Sequence, residues 1–193
     1  LGGISGLIIE PDNNRLYSQA ADFREIMTDD GVKLLRETCA TDNQKIFEIK
    51  DNIPVVKFDF IPQATIFRAS CLNEESWDPE FITEFEHTDF YLSHWKNTDW
   101  EFGICPSVQI PHYPGGNTEY MTNRKDPQKR SSGKEYFLKK WNYIDMETTD
   151  GNWIEAGSIG SLSDNLSGAI DIAKNEGVMS LLRQGRLYLK NNL

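Results

Sequence analysis

The sequence predicts an α/β domain, and three observations point to it. Short runs rich in β-branched and aromatic residues recur at 4–10, 45–49, 55–61, 64–69, 101–105 and 107–110, separated by Gly, Pro, Asn and Asp, as strands are. Two stretches, 86–96 and 132–141, instead space their apolar residues with a helical period. The 193 residues, 38% hydrophobic and 11% aromatic, make about one domain with enough apolar surface to bury a core.

Bulk charge and cysteine usage narrow the setting. A net charge of −10 with no basic face leaves phosphates nothing to pair with, so a nucleic-acid partner is not expected. Cys39, Cys71 and Cys105 are widely spaced and form no CxxC pair, which argues against a disulfide framework or a cysteine zinc site and for a reducing, cytoplasmic compartment. No run approaches the roughly 18 apolar residues that cross a bilayer, so a soluble chain is expected. Leu1-Gly2-Gly3-Ile4 runs straight into a strand with no polar leader, as the interior of a domain does, so the chain is expected to be a fragment.

The elements follow in order. Pro11-Asp12-Asn13-Asn14 is a turn by composition. Residues 22–39 read as two strands joined at Asp29-Asp30-Gly31, because Asp-Gly suits a tight hairpin; a helix over 32–38 is the competing reading. Residues 45–49 alternate as a half-buried strand, and 55–61 and 64–69, split by Pro62-Gln63, are expected at the centre of the sheet. The polar run 73–79 is expected to be irregular and anchored by Trp77. In the helix at 86–96, Tyr91 and Trp95 should face the core, with Glu86 and Asp89 on a neighbouring face near its start. Two short strands around Pro106 lead to His112-Tyr113-Pro114-Gly115-Gly116. Residues 117–133 read as a mobile polar loop, 132–141 as a helix, 145–160 as irregular, and 161–174 and 178–193 as helices, the last of them amphipathic and basic.

Glu86, His87 and Asp89 form the densest cluster of titratable groups. One carboxylate could serve as general base for an incoming hydroxyl, and both acids would equally suit the positive end of a helix dipole. His112, at a strand end, could bind a divalent metal or a phosphate oxygen, or simply be hydrogen bonded. A zinc site from His87, Glu86 and His112 matches no compact ligand motif. Arg124, Lys125 and Arg130 could hold a diphosphate or lie in a solvated loop. Trp77 could stack on a sugar ring or belong to the core.

Five runs in order carry a resemblance: Phe58-Asp59-Phe60-Ile61-Pro62-Gln63-Ala64-Thr65-Ile66-Phe67-Arg68, Trp77-Asp78-Pro79-Glu80-Phe81, Glu86-His87-Thr88-Asp89-Phe90, Pro106-Ser107-Val108-Gln109-Ile110-Pro111-His112-Tyr113, and Tyr136-Phe137-Leu138-Lys139-Lys140-Trp141. Together they resemble the second half of a family 2 glycosyltransferase. The resemblance implies a GT-A fold, a mixed sheet covered by helices, and transfer of a sugar from a nucleotide sugar to a glycan or lipid-linked acceptor. It places the base on Glu86 or Asp89, with Glu86 favoured and Asp89 orienting, and acceptor contacts on Trp77, Asp78 and His87. It sets His112 near the diphosphate and a divalent cation, Mg2+ or Mn2+, most of whose ligands are not in this chain. Many members have Glu-Asp where this chain has Glu86-His87, and the family's Asp-x-Asp motif and nucleotide-binding half have no counterpart. On this reading residues 1–145 are the acceptor-side part of the catalytic domain, and 146–193 are a helical extension touching the inner face of a membrane. The alternative is a non-catalytic carbohydrate-binding or accessory module that keeps the acceptor pocket.

Overall fold

The computed structural model describes residues 1–13, 15–38, 47–50, 53–62, 64–81, 84–113, 115–149 and 155–156, and over them the chain is an α/β protein with mixed sheets and flanking helices. Strand β1 (Gly3–Glu10) leads through a 3-10 turn at Pro11–Asn13 into β2 (Arg15–Tyr17), β3 (Asp22–Thr28) and β4 (Gly31–Glu37). Strands β5 (Phe47–Lys50), β6 (Ile53–Phe58) and β7 (Thr65–Phe67) follow, then helices α1 (Ala69–Glu74) and α2 (Glu86–Asn97). The long strand β8 (Phe102–Pro111) precedes α3 (Thr118–Arg124), α4 (Pro127–Trp141), β9 (Asp145–Thr148) and β10 (Glu155–Ala156).

The larger sheet runs β10-β2-β1-β8-β6-β5, with β7 beside the first half of β1. Its centre is the parallel pair β1 and β8, not the segments 55–61 and 64–69 expected there. β1 is buried along nearly its whole length on both faces, which suits a central parallel strand; β6 lies one place from the edge. Pro106 does not split β8, because the ladder steps from Gly6↔Cys105 to Leu7↔Gln109 and leaves Pro106 in a bulge where its missing N–H costs nothing. The bulge needs a glycine opposite: a Cβ on Gly6 would meet the Val108 carbonyl oxygen at 2.5 Å. Gly6→Ala should therefore cost roughly 1–2 kcal/mol, read as a lower urea midpoint at constant slope.

The smaller sheet runs β3-β4-β9, with β3 and β4 antiparallel and β4 and β9 parallel. The turn between β3 and β4 is the Asp-Gly hairpin read from the sequence, and Gly31 has φ +140, so the helical reading of 32–38 gives way.

Helix α2 presents Phe90, Tyr91 and His94 to the core, and the Tyr91 ring meets Phe102 of β8 edge-on at 4.8 Å. Trp95, expected in the core, is 38% exposed; it stands at the rim with its edge against Phe23, and the fully buried position is taken by His94. Residues 117–133 are not a loop but α3 and the first half of α4. Asp126 caps α4 by accepting from the Gln128 and Lys129 amides, with Pro127 at the first helical position. That start signal was legible, but the run's polarity hid it. The polar run 73–79 opens on the end of α1, and 145–160 contains β9 and β10. The helices expected at 161–174 and 178–193 lie outside the described residues. No helix among those described is long and apolar enough to cross a membrane.

Candidate functional site

The chain enters α2 through two residues in the left-handed region, Glu84 at φ 60 and Phe85 at φ 63, where non-glycine residues are uncommon and strain gathers at functional positions. Packing holds that path: the Phe85 ring lies 5.3 Å from Phe137, and Arg130 pairs with Glu84 at 2.8 Å. Glu86, His87 and Asp89 are thereby set on the first turn of α2, opposite the last turn of α4.

Asp89 is 1% exposed, and both of its oxygens are taken. Trp141 Nε1 donates to Oδ1 at 2.7 Å and Lys140 Nζ to Oδ2 at 2.8 Å. Lys140 Nζ also donates to Asp78 Oδ2 at 2.8 Å, and the Tyr136 hydroxyl donates to the same oxygen at 3.0 Å. Asp78 Oδ1 accepts the Glu80 amide at 3.0 Å. Burial lifts the Asp89 carboxyl above the ordinary carboxylate range, and the Lys140 and Trp141 bonds offset only part of this. Burial also works against charge at Asp78, but the bonds from Lys140, the Glu80 backbone and Tyr136 together hold its carboxyl below that range. Burial disfavours the Lys140 charge as well, yet the two carboxylates outweigh it and keep the ammonium protonated.

Glu86 differs from Asp89. Its side chain is 32% exposed, with Oε1 3.5 Å from His87 Nε2 and Oε2 buried without a hydrogen-bond partner. Trp77 Nε1 donates to His87 Nδ1 at 3.4 Å, which places the neutral ring's proton on Nε2, facing Glu86. The Trp77 ring stacks on Phe90 at 4.1 Å and stays 36% exposed, presenting a flat apolar face beside these acids. On the other side, Arg36 of β4 donates from Nη1 to Thr88 Oγ1 at 3.1 Å and lies over the Phe60 ring at 4.7 Å. Its Nε, like Glu86 Oε2, is buried without a partner. Buried polar atoms are nearly always paired in folded proteins, so two unpaired ones around one helical turn mark a candidate site.

Of the residues singled out in the sequence, the fold therefore gathers Trp77, Asp78, Glu86, His87 and Asp89. His112 belongs to a different group: its Nδ1 lies 3.0 Å from Glu10 Oε1, which also accepts the Tyr17 hydroxyl at 2.6 Å. Lys125 is exposed beyond α3 and Arg130 sits on α4 paired with Glu84, so the expected phosphate-binding loop is two helices instead. Among the described residues no group of three or more His, Cys, Asp or Glu side chains is arranged to hold a metal ion, and His87 and His112 have separate partners. Lys140, Trp141, Tyr136 and Arg36 were not singled out as site residues, although the Tyr-Phe-Leu-Lys-Lys-Trp run was visible. Their partners lie 51–62 positions away in sequence, where no local pattern reaches.

Two other groupings stay apart from this cluster. The Cys71 thiol lies 3.5 Å from His94 Nε2, and burial pushes it up to about 11, so it stays protonated and unreactive near neutrality. A cavity of about 290 Å³ beyond the end of α2 is lined by Asp22, Asp59, Trp95, Asp99, Trp100 and Glu101 among others, and no residue of the cluster lines it.

No protein-family model, curated protein or solved structure matches the chain.

The ionisation pattern sets a pH response. Asp78, Glu25 (bonded by Lys96 and Tyr143) and Asp145 (bonded by Lys134) are held below the ordinary range, so each contributes stability above its ordinary value of about 4 that is lost as pH falls. Asp89 works the other way, since a raised carboxyl binds its proton more tightly when folded and favours the fold on acidification. With three such groups against one among the described residues, the thermal midpoint should fall between about pH 5 and 3. Asp78→Asn should flatten that slope, and an unchanged slope would remove Asp78 from the account.

Proposed function

We propose that the chain is the acceptor-side part of a GT-A-like family 2 glycosyltransferase, with Glu86 as the general base. The observation that carries this is the division between two carboxylates on one helical turn. Asp89 is buried with both oxygens occupied, whereas Glu86 is partly exposed with one unpaired oxygen. A base must reach the proton it removes; Asp89 has both oxygens occupied inside the fold, whereas the Glu86 side chain is 32% exposed and its Oε1 has only the 3.5 Å approach of His87.

In the proposed step an acceptor hydroxyl sits over Glu86. Its oxygen bonds to the anomeric carbon of the donor while its proton passes to Glu86 and the bond to the nucleoside diphosphate breaks, the diphosphate leaving with the electron pair. The exposed Trp77 face would carry an acceptor ring, and His87 Nε2–H would keep Glu86 oriented. Asp89, Lys140 and Trp141 position the turn. Asp78, saturated by Lys140, Tyr136 and Glu80, serves to place Lys140 rather than to contact the acceptor.

The divalent cation of the family, Mg2+ or Mn2+, is not matched by the described residues, which gather no group of His, Cys, Asp or Glu side chains fit to hold it; His112, paired with Glu10, would offer a single nitrogen. The partners proposed are a nucleotide sugar and a glycan or lipid-linked acceptor, met in the cytoplasm at the inner face of a membrane. The exposed Trp77 ring also suits a non-catalytic carbohydrate-binding module.

The test offers the protein a panel of nucleotide sugars with glycan and lipid-linked acceptors, alongside glycan-array binding. Transfer supports the enzyme reading, binding without transfer supports the module, and neither would sink both.

A further inference from the structure

The side chains of β4 alternate between the two faces of the small sheet, so Lys33, Leu35 and Glu37 share one face and Leu34 and Arg36 the other. The acids on the first face are already paired, Glu37 with Arg24 at 2.7 Å and Glu147 of β9 with Lys33 at 3.0 Å. On the face of Arg36, the residues opposite it in register, Phe23 and Thr148, carry no charge, and Glu25 accepts from Lys96 and the Tyr143 hydroxyl. Among the described residues no carboxylate pairs with Arg36, although the chain has 30 Asp and Glu residues from which a counter-charge could have come.

The guanidinium is nonetheless held in place. Nη1 donates to Thr88 Oγ1 at 3.1 Å on the first turn of α2, and the group lies over the Phe60 ring at 4.7 Å. Nε is buried without a hydrogen-bond partner; Nη2 is also without one but is not enclosed, so the Nε–Nη2 edge is unsatisfied and open at one end. Burial alone pulls the group below its ordinary value, with no carboxylate to oppose it, and an arginine keeps its charge even so. Unpaired buried charges weaken a fold, and features kept against stability gather where function needs them.

We infer that Arg36 is the anion-binding residue of a site beside the first turn of α2, where its Nε–Nη2 edge takes two oxygens of a ligand's carboxylate or phosphate group. The flat fork matches either oxyanion, and Phe60 and Thr88 fix its plane before the ligand arrives. The site is independent of the glycosyltransferase reading, since no residue given a role in that reaction takes part in it.

The test titrates the full chain, ¹⁵N-labelled at arginine, with sodium phosphate, sodium acetate and, at equal ionic strength, sodium chloride at pH 7. The Arg36 Nε–H signal is assigned by its loss in Arg36→Lys. Phosphate, acetate or both should shift that signal to saturation while chloride leaves it in place. The oxyanion that does so should raise the thermal midpoint by about 3–6 °C at ten times its Kd. A response to phosphate alone assigns a phosphate-bearing ligand, and a response to acetate alone a carboxylate; each supports the inference. Arg36→Lys, which keeps the charge without the fork, should weaken binding by about 10- to 100-fold, the loss of one charge-assisted hydrogen bond. Arg36→Met should abolish the oxyanion-dependent rise of the midpoint. If Arg36→Met does not fold, the Nε–H titration and Arg36→Lys carry the comparison. An Nε–H signal that answers chloride as strongly as the oxyanions or answers none of them, or a midpoint response undiminished in Arg36→Lys or Arg36→Met, would overturn the inference.

Discussion

Asp89→Ala is expected to lower the unfolding free energy by about 3 kcal/mol, the scale of removing one partner from a buried charge pair. The carboxylate is 1% exposed and accepts from Lys140 and Trp141, so its loss leaves an indole N–H and part of an ammonium facing a void. Lys140 is still 29% exposed and keeps Asp78, which is why the estimate stays at the lower end of the range. Asp89→Asn keeps the shape and should cost less, though still more than a surface change of about 0.5 kcal/mol. Adding Lys140→Met to Asp89→Ala should not recover the loss, because Asp78 then loses its ammonium partner as well. Urea unfolding of the three variants decides the matter, and midpoints at the wild-type value would show that Asp89 does not anchor α2 to α4.

Glu86→Gln is expected to do the opposite: little change in stability and, on the glycosyltransferase reading proposed above, a fall in sugar transfer of about 10²- to 10⁴-fold, the range of general-base contributions. Its stability effect is small because Glu86 is partly exposed and its nearest polar contact is His87 at 3.5 Å. Acceptor binding should persist, since glutamine fills the same space, so kcat should drop with KM nearly constant. If transfer is retained within a few-fold, Glu86 is not the base. If no transfer is seen in either form while glycan binding survives both Glu86→Gln and Asp89→Asn, the accessory-module reading is the better one.

These two expected outcomes separate residues that spacing alone left equivalent and that only the family resemblance ranked, with Glu86 favoured. Glu86 and Asp89 lie three apart at the start of a helix, and that spacing alone allowed either to be the base or both to be dipole partners. What distinguishes them is α4, whose Lys140 and Trp141 bond to Asp89 and not to Glu86, whose side chain stays 32% exposed. Similarly, His112 was recognised as a strand-end histidine, but its partner Glu10 stands 102 residues earlier and was brought to it only by the parallel register of β1 and β8.

Where hydrophobic period and turn chemistry act locally, the sequence was enough by itself: the Asp-Gly hairpin of β3 and β4, the span of α2, the strand at β1 and the strand-end position of His112 all follow from neighbours within a few residues. Local composition misled where burial overrode it. The polar run 117–133 forms helices because Asp126 and Pro127 start one whose inner side buries Phe137, and Pro106 stays within β8 because a bulge removes the need for its N–H. The tertiary structure alone decided which strands are central, that Trp95 stands at the rim while His94 is buried, and which carboxylate is saturated. Each of these depends on contacts between segments far apart in the chain, and such contacts leave no periodic trace in any one of them.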